Sequence, residues 1–584
     1  MAERINHPNP QFRRTNWTNL NGIWDFRFDE NKEGVAQNWQ KGFKSTQTIE
    51  VPFVYQSQRS GIHQKAFCPV VWYQRPLHKT KLANTKTIIH FEAVDYQATL
   101  WINGAYVGNH SGGNSRFSFD ITSFLTDEEN ILVLRVEDSL EDMTIPRGKQ
   151  YWKETAEVMW FTQMSGIWRD VWLEEKDCFS IEELRLTPNI DQKVVEIELY
   201  FSDEAAMLEG VILNTDVTLN EQMIAKETHC VKGRHLKFCI GIDDFNDHGL
   251  GSWWTPENPN LYDLKFELVC DDDSRDTVYS YFGMRKISIE QNKFCLNNRP
   301  YFFSSVLDQG YFPDTILTPP SFEALEADVQ WIKKLGFNGV RKHMMSSENK
   351  FLYLCDYYGL LVWSEMAAAY DYSEEYAYRM VDEWKTVLKQ GYNHPCIATW
   401  VPLNESWGVP NIYHSTKQQA HAQSLYYLTK SVDDTRPVIS NDGWEHCQSD
   451  LFTVHDYTSD EKILTQRYKA VETIISDMPG LDGRKFLFCP GYKYEGQPVM
   501  CTEMGGVNYR FNKGPKVEPS VSNEQEFIDA IKMLIKVYKE SPIIEGFCYT
   551  QLTDTETEIC GLLTWDREPK ASVDELYPIF NQSK

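Results

Sequence analysis

The stretch NHPCIATWVPLNESWG, residues 393–408, decides the fold of the C-terminal half of the chain. Its apolar run from Cys396 to Leu403 contains no charge and leads directly into Asn404 and Glu405. Such a run is typical of a strand that is buried on both faces of a parallel sheet. A carboxylate at the end of a buried strand costs free energy unless it is hydrogen-bonded or paired. Glu405 is therefore a candidate functional residue.

Strand-sized apolar segments alternate with helical segments on both sides of this stretch. In SFEALEADVQWIKKLG, residues 321–336, Ser321 is placed to begin a helix and Gly336 to end it. The number of strand segments approaches eight, and the length is near the roughly 250 residues typical of such a barrel. We therefore predict a (β/α)8 barrel, or TIM barrel, for residues 289–584. A doubly wound open sheet is the alternative, although no G-x-G-x-x-G or phosphate-binding loop accompanies these strands.

Two β-domains are predicted before the barrel. Residues 1–177 alternate short apolar runs with turns, and Asn103-Gly104 lies between two β-rich runs as a strong hairpin signal. This pattern predicts a jelly-roll β-sandwich. Residues 178–288 continue in short strands with regular turns, which favours an immunoglobulin-like β-sandwich without the disulfide of antibody domains.

Charge and composition exclude several classes of partner. The net charge of −26 would repel nucleic acid and the anionic face of a membrane, and no apolar run is long enough to span a bilayer. The 13 cysteines show no CxxC pairs, and the N-terminal residues show no apolar signal region. We expect reduced thiols in a cytoplasmic protein, with neither a structural metal nor a cofactor.

Polar residues follow the apolar strands wherever a barrel strand is predicted to end. In chain order they are His343, Glu365, Asn404 with Glu405, Asn441 with Asp442, His455 with Tyr457, Glu503 and Gln551. Glu405 and Glu503 are 98 residues apart, enough chain for about three βα units, so we expect them to face each other across the barrel mouth. Two such carboxylates are the minimum machinery for hydrolysis of a glycoside, because one donates a proton while the other attacks. The alternative is that each caps a helix or pairs with a buried arginine.

Phrases along the whole chain resemble glycoside hydrolase family 2, which holds β-galactosidases, β-glucuronidases and β-mannosidases. The resemblance of the N-terminal third, to the sugar-binding domain of the family, is carried by NLNGIWDFRFD at 19–29, DYQATLWINGAYVGNHSGG at 95–113 and SGIWRDVWLEE at 165–175. The middle region is similar in WWTPENPNLYDLKFEL at 253–268 and in FGMRKISI at 282–289. In the barrel, the stretch at 393–408 resembles the acid/base segment and PVMCTEMGG at 498–506 the nucleophile segment.

The resemblance implies a retaining double displacement and assigns a role to each carboxylate. Glu503 is then the nucleophile and Glu405 the acid/base, with Asn404 held against the sugar 2-hydroxyl. Tyr457 would lie near Glu503 and hydrogen-bond to it. Retention predicts carboxyl groups about 5–5.5 Å apart, whereas inversion needs roughly 6.5–9.5 Å. We also expect burial to raise the pKa of Glu405 and so keep it protonated near neutral pH.

Four further residues are predicted to contact the substrate. Asp308, after the first barrel strand, matches a position where the family often places a ligand for a sugar hydroxyl; a turn-forming aspartate is the alternative. His343 follows Arg341 one position earlier than in the Arg-x-x-His region of the family. His455 is a candidate contact or a core histidine, and Tyr549 lies in the last predicted strand.

A neutral β-glycoside is the predicted substrate, most simply a terminal non-reducing β-galactoside. Glucuronidases of the family carry Asn-x-Lys after the last barrel strand, whereas TDTETEICGLLTWDREPK at 553–570 lacks it and is acidic. Asn512-Lys513 lies elsewhere and lacks the spacer residue. A β-glucuronidase or another β-glycosidase of the family is the alternative.

Two other classes of protein compete with this interpretation. A non-catalytic carbohydrate-binding scaffold would keep the aromatic residues and the β-domains, but it would not need Glu405 and Glu503. A metallohydrolase would draw its ligands from His343, His394, His446 or His455, but no HExxH or comparable spacing is present, and His394 before Pro395 is typical of a turn. A carbohydrate is the expected partner, and the sequence leaves a homo-oligomer open.

Overall fold

The computed structural model describes residues 2–77, 84–242, 252–271, 274–477, 484–510 and 520–581. Three large hydrophobic cores follow one another along this part of the chain. One lies inside an N-terminal sandwich, one inside a second sandwich, and the largest surrounds the strands of a C-terminal barrel. The predicted architecture of a jelly-roll sandwich, an immunoglobulin-like sandwich and a TIM barrel is confirmed.

The N-terminal sandwich follows a short helix, α1 (Ala2–Asn6). Its strands are β1 (Trp17–Asn19), β2 (Gly22–Phe28), β3 (Gln47–Val51), β4 (Val70–Leu77), β5 (Thr85–Phe91), β6 (Val94–Asp95), β7 (Gln97–Ile102), β8 (Ala105–Ser111), β9 (Phe117–Asp120), β10 (Asn130–Glu137), β11 (Gly166–Ile167) and β12 (Val171–Asp177). A sheet in the order β3-β2-β4-β10-β7-β8 packs on a second sheet in the order β1-β12-β5-β9. The predicted hairpin joins β7 to β8, with positive φ angles of 53° at Asn103 and 79° at Gly104.

The second sandwich has sheets in the orders β13-β14-β17 and β16-β15-β18-β19. Its elements are β13 (Ile181–Asn189), β14 (Val194–Phe201), α2 (Asp203–Met207), β15 (Ile212–Leu219), β16 (Gln222–Cys230), β17 (His235–Gly241), β18 (Tyr262–Val269) and β19 (Arg275–Phe282). Alternate residues of β14 and β18 are buried, as expected for strands with one face on a core. A small sheet of β20 (Ile287–Glu290), β21 (Lys293–Leu296) and β22 (Arg299–Pro300) leads into the barrel.

In the described part of the barrel, seven parallel strands lie in the order β26-β25-β24-β23-β29-β28-β27. They are β23 (Phe303–Asp308), β24 (Gly339–Lys342), β25 (Leu361–Glu365), β26 (Ile397–Val401), β27 (Phe452–Asp456), β28 (Val499–Gly505) and β29 (Ile544–Thr550). The helices are α3 (Phe322–Lys334), α4 (Asn349–Tyr358), α5 (Glu374–Gly391), α6 (Thr416–Val432), α7 (Glu461–Arg467), α8 (Val471–Asp477), α9 (Glu524–Glu540) and α10 (Val573–Phe580). Among the described helices, none has the length and apolar character needed to cross a bilayer.

The predicted strand at PVISND, residues 437–442, is irregular. It forms two isolated parallel bridges to the neighbouring segment, Trp400 to Val438 and Asn404 to Asp442. The amide of Ile439 donates to the carbonyl of Trp400 over 3.0 Å, and the amide of Asp442 donates to the carbonyl of Leu403 over 2.9 Å. The segment thus occupies the eighth strand position beside β26. Its ladder is interrupted between Ile439 and Asp442.

A buried arginine joins the two sandwiches. The Arg14 side chain donates to Glu174 of β12 over 2.9 Å and to Asp276 of β19 over 2.8 Å, and it also bonds the carbonyl of Ile181. Both carboxylates are almost fully buried. The positive charge of Arg14 balances the negative charges of both carboxylates.

Arg14→Met is expected to destabilise the protein by about 3–5 kcal/mol, because two buried carboxylates would lose their cation. The measurement is the first unfolding transition in calorimetry, since a three-domain chain has no single two-state free energy. Arg59→Met is the control: Arg59 is 56% exposed and its ion pair with Glu50 spans 3.4 Å. Equal shifts in the two variants would contradict the prediction.

Candidate active site

A fully buried guanidinium lies at the centre of the carboxyl ends of the barrel strands. Arg341 of β24 has no exposed surface, so its charge requires partners inside the protein. Its nitrogens lie 2.7 Å from Glu365 Oε2, 2.8 Å from Asn404 Oδ1, 2.8 Å from Asp442 Oδ2, 3.0 Å from the Thr502 carbonyl and 3.2 Å from Glu503 Oε1. One side chain thus connects the ends of four strand positions and fixes the predicted residues relative to one another.

His343 and Glu365 form the wall beside this guanidinium. Burial lowers the pKa of His343 well below its usual value, although the charge of Glu503 opposes the shift, so the imidazole is neutral. Burial raises the pKa of Glu365 to about 7 despite the charge of Arg341. His343 Nδ1 lies 3.1 Å from Glu365 Oε1, and its Nε2 lies 3.9 Å from Glu503 Oε1. The structure therefore brings His343 to the nucleophile segment.

Glu405 lies on a strained turn rather than at the tip of a regular strand. Strand β26 ends at Val401, and Glu405 and Ser406 follow with φ angles of 50° and 61° in the left-handed region. The Glu405 amide donates to the Asp442 carbonyl over 2.9 Å, and the Ser406 amide donates to Asn441 Oδ1 over 2.9 Å. These bonds hold the carboxylate in a conformation that few residues adopt without support.

His455, at the end of β27, lies between the two predicted catalytic carboxylates. Its Nδ1 is 2.7 Å from Glu405 Oε1 and 3.7 Å from Glu503 Oε2, and its Nε2 is 3.2 Å from Asp442 Oδ2. Burial opposes its charge, but the charge of Glu503 and the hydrogen bonds to Asp442 and Glu405 raise the pKa of His455 to about 10. His455 is therefore protonated and donates from both nitrogens.

The expected rise in the pKa of Glu405 is wrong for this structure. Burial does favour the neutral carboxyl, but the hydrogen bond from His455 and its positive charge outweigh burial. The pKa of Glu405 therefore lies below its usual value. In this pair His455 is an imidazolium and Glu405 is a carboxylate. The sequence could not show this balance, because His455 is 50 positions away along the chain.

Glu503 receives a short hydrogen bond from a tyrosine, as predicted. The Tyr457 hydroxyl donates to Glu503 Oε2 over 2.6 Å and lies 3.3 Å from Thr550 Oγ1 at the end of β29. Arg341 faces the other oxygen of Glu503. Both oxygens of the carboxylate are thus oriented by the protein.

The two carboxylates lie close together. One oxygen of Glu405, one oxygen of Glu503 and a nitrogen of His455 are all within 4.8 Å of one another. This upper limit on one pair of oxygens fits the separation of about 5–5.5 Å between the carboxyl groups of retaining glycosidases better than the roughly 6.5–9.5 Å of inverting enzymes.

The remaining predicted contacts differ in their placement. Asn404 lies in the centre, bonded to Arg341. Asp308 also lies at the strand ends, but one of its oxygens is 2.5 Å from Lys342 Nζ and the other accepts the Gly310 amide over 2.8 Å. Both oxygens therefore have protein partners, and a role in binding sugar stays a prediction.

Tyr549 is not brought to the site. Its ring contacts Phe580 of α10 at a centroid distance of 5.7 Å, and it packs beside Gly505. Successive residues of a strand point to opposite faces, so Thr550 reaches Tyr457 while Tyr549 faces the layer between barrel and helices. The expectation that Tyr549 contacts substrate is corrected accordingly.

Sequence reasoning missed the part of the site that comes from the N-terminal sandwich. The 138–165 loop, between β10 and β11, lies against the barrel mouth. Within it, the amides of Arg147 and Gly148 donate to the Ala368 carbonyl over 2.9 and 3.0 Å. The Trp160 ring lies 5.2 Å from that of Trp407, two residues after Glu405. No local motif predicts this approach, because the loop and the barrel are far apart in sequence.

Two groups of residues in the described part of the chain have the spacing of metal ligands: Asp356 with His394 and Cys396, and Glu405 with His455 and Glu503. His394 was expected in an ordinary turn, yet it is fully buried and its Nδ1 lies 2.6 Å from Asp356 Oδ2. In the second group the protonated His455 has no free lone pair for a metal. The predicted Asn512-Lys513 lies outside the described residues.

Replacing His455 by Gln is expected to change how stability depends on pH. The native protein keeps this proton to about pH 10, whereas the unfolded chain loses it near pH 6.5. The stability that His455 contributes is therefore full below pH 6.5 and is lost as the pH rises towards 10. The difference in urea unfolding midpoint between wild type and variant should shrink over that interval. His63→Gln, at an exposed position, should show no such trend; a constant difference for His455→Gln would contradict the assignment.

Family models match three consecutive parts of the chain. Residues 17–177 match the model described as "Glycosyl hydrolases family 2, sugar binding domain", residues 179–285 match "Glycosyl hydrolases family 2", and residues 287–505 match "Glycosyl hydrolases family 2, TIM barrel domain". These matches follow the order of the two sandwiches and the barrel.

Individual proteins show the same likeness. A putative beta-glucuronidase of Formosa agariphila is 26% identical over 380 residues, covering 62% of this chain and 44% of that protein. A beta-galactosidase of Vibrio vulnificus is 24% identical over 525 residues, covering 83% and 47%. The chain thus spans about half the length of these relatives. The solved β-glucuronidase of Ruminococcus gnavus has the same fold, with a TM-score of 0.78 at 16% identity over 97% of this chain and 98% of that chain. With all three domain models matched in order, the chain belongs to glycoside hydrolase family 2.

Proposed function

We propose that the protein is a retaining exo-β-glycosidase that removes a terminal β-linked sugar through Glu503 and Glu405. The observation that carries the proposal is the short distance between these carboxylates, with one oxygen of each within 4.8 Å. A short separation of the two carboxylates favours direct attack by Glu503 over attack by a water between it and the sugar. The 138–165 loop beside the barrel mouth favours action on the end of a glycan.

In the first step, an oxygen of Glu503 forms a bond to the anomeric carbon while the bond from that carbon to the glycosidic oxygen breaks. Tyr457 and Arg341 hold Glu503 in place through contacts of 2.6 and 3.2 Å. The departing oxygen takes a proton from Glu405. In the second step, Glu405 removes a proton from water, and that water displaces Glu503 from the sugar.

His455 supplies the proton that Glu405 needs in the first step. In the free protein the proton is on His455, 2.7 Å from Glu405 Oε1. Transfer along this hydrogen bond gives a neutral imidazole and a protonated carboxyl, with no change in net charge. A substrate that displaces water from the carboxylate favours this transfer, because desolvation favours the neutral carboxyl.

The glycone is a neutral sugar, most simply β-galactose. The name of the Vibrio vulnificus relative supports this proposal, as does the acidic segment at 553–570, which has no Asn-x-Lys. A β-glucuronide is the second candidate. It is supported by the name of the Formosa agariphila relative.

A reducing cytoplasm remains the proposed compartment. All 13 cysteines lie in the described residues and none is in a disulfide. Buried free thiols persist where the surroundings are reducing. Assembly into a homo-oligomer stays a prediction of the sequence.

The stereochemistry of the product tests the proposal. Proton NMR during early hydrolysis of a nitrophenyl β-glycoside should show the β-anomer of the released sugar first, because two inversions give net retention. The α-anomer should appear later, at the rate of mutarotation. Initial release of the α-anomer would exclude a glycosyl-enzyme intermediate on Glu503.

Leaving-group dependence tests the separate roles of the carboxylates. For Glu405→Gln, kcat/KM should fall by about 10²–10⁴ on a methyl or sugar aglycone, which needs protonation, and should change little on a dinitrophenyl aglycone. Glu503→Gln should lose activity on both, because the nucleophile is required with any leaving group. Glu154→Gln, at an exposed position of the 138–165 loop, is the control. Full activity of Glu405→Gln on the methyl glycoside would refute the acid role.

A further inference from the structure

Lys149 is a cation of the 138–165 loop, which lies against the barrel mouth. Its Nζ lies 5.5 Å from the centroid of the Trp160 ring, and its carbonyl accepts the Phe161 amide over 2.9 Å. Among the described residues, no acidic oxygen lies within 4.0 Å of this nitrogen. The pocket cations Arg341 and Lys342, by contrast, are each paired with carboxylates.

The backbone around Lys149 is tightly fixed. Gly148 has a φ of 62°, and a Cβ at this position would lie 2.2 Å from the carbonyl of Met344, the residue after His343. The Gly148 carbonyl accepts a hydrogen bond from the Tyr370 hydroxyl. Only glycine allows so close an approach. This close approach fixes the backbone of the following residue, Lys149, beside the ends of the barrel strands.

Glu558 reaches the same pocket from the loop after β29. Its Oε2 lies 3.2 Å from Gln309 Nε2, which also donates to Gln551 Oε1 over 2.7 Å. Neighbouring residues of this loop bind the 138–165 loop: Glu556 accepts the Thr162 amide over 3.0 Å, and the Thr557 hydroxyl donates to the Val158 carbonyl over 2.6 Å. The two loops therefore form one wall of the pocket.

Electrostatics place Lys149 and Glu558 within reach of the catalytic groups. The charge of Lys149 acts to lower the pKa values of Glu405, His343 and Glu558. Burial raises the pKa of Glu558, and the charge of Glu503 adds to the rise. The contacts agree with this placement, because the Trp160 ring beside Lys149 lies 5.2 Å from that of Trp407, and Gln309, which binds Glu558, directly follows Asp308.

The hydrogen-bond donors and acceptors of this wall indicate which chemical group of a ligand can bind there. Lys149 offers only donors, whereas Glu558 and the buried, unpartnered Gln309 Oε1 offer acceptors. A hydroxyl both accepts and donates, so it satisfies both sides of the wall. A carboxylate would satisfy Lys149 but has no proton to donate to the acceptor oxygens of Glu558 and Gln309.

We propose that Lys149 and Glu558 select the glycone by binding hydroxyl groups of a neutral sugar between them, and that Glu558 excludes a uronic acid. This inference rests on the proposed glycosidase function and deepens it. It assigns sugar selectivity to one residue from the sandwich and one from the barrel. Both would contact substrate without taking part in bond cleavage.

The test compares kcat/KM for the nitrophenyl β-galactoside, β-glucoside and β-glucuronide. Wild type should prefer a neutral sugar. Glu558→Gln should lower kcat/KM on the better neutral sugar about 10- to 100-fold, the cost of a lost hydrogen bond to a charged group, and should raise the ratio of glucuronide to neutral activity at least tenfold. Lys149→Met should lower activity on all three sugars. Glu154→Gln and Lys153→Met, exposed positions of the same loop, should stay within twofold of wild type.

Binding gives a second measurement that needs no turnover. Calorimetry with the Glu503→Gln protein should detect galactose or glucose but not glucuronate, and adding Glu558→Gln should reduce this discrimination. A wild-type preference for the glucuronide, or an unchanged ratio in a folded Glu558→Gln protein, would overturn the inference. In that case the proposed function would still stand, provided that the product keeps its configuration and that Glu503→Gln is inactive. Absence of hydrolysis of any glycoside, with sugar still bound selectively, would instead refute the proposed function alone.

Discussion

The burial of the Arg341 guanidinium is the constraint on which the barrel mouth depends. A charge with no exposed surface is tolerated only when its nitrogens are paired, and here the partners come from β25, from the segments after β26 and at 437–442, and from β28. Satisfying one side chain therefore positions Glu365, Asn404, Asp442 and Glu503 together. Moving any of these strand ends would leave a charge uncompensated, so the same interaction supports both the closure of the barrel and the geometry of the site.

Hydrogen bonds next to Arg341 set the protonation states of His455 and Glu405. Asp442 pairs with Arg341 and also accepts from His455, which in turn donates to Glu405. In the proposed mechanism, the proton that Glu405 donates is thus held one hydrogen bond away, on His455. The neutral His343 and Glu365, whose pKa burial raises to about 7, reduce the number of charges in this cluster. Fewer charges lower the cost of gathering several carboxyl groups in a buried site.

Much of the fold and part of the site follow from local sequence pattern. Some elements are determined by residues that are neighbours in the sequence. Examples are the buried run 396–403, the serine that caps α3 and the Asn-Gly hairpin. The strand-end rule then brings His343, Glu405, His455 and Glu503 together, because all parallel strands end at one face of a barrel. The pairing of Asp308 with Lys342, the outward direction of Tyr549 and the ionised state of Glu405 depend on contacts between distant segments. Pattern alone does not determine these, and Lys149 lies in a different domain altogether.

The 138–165 loop is an extension of a sandwich that has its own hydrophobic core, separate from that of the barrel. Under the two proposals, the barrel carries the groups for bond cleavage, whereas the wall that selects the sugar is shared between the barrel and this loop. Changes in this loop would alter which glycosides are accepted while Glu405 and Glu503 keep their geometry. Under the same proposals, new specificity can evolve in a domain that takes no part in bond cleavage.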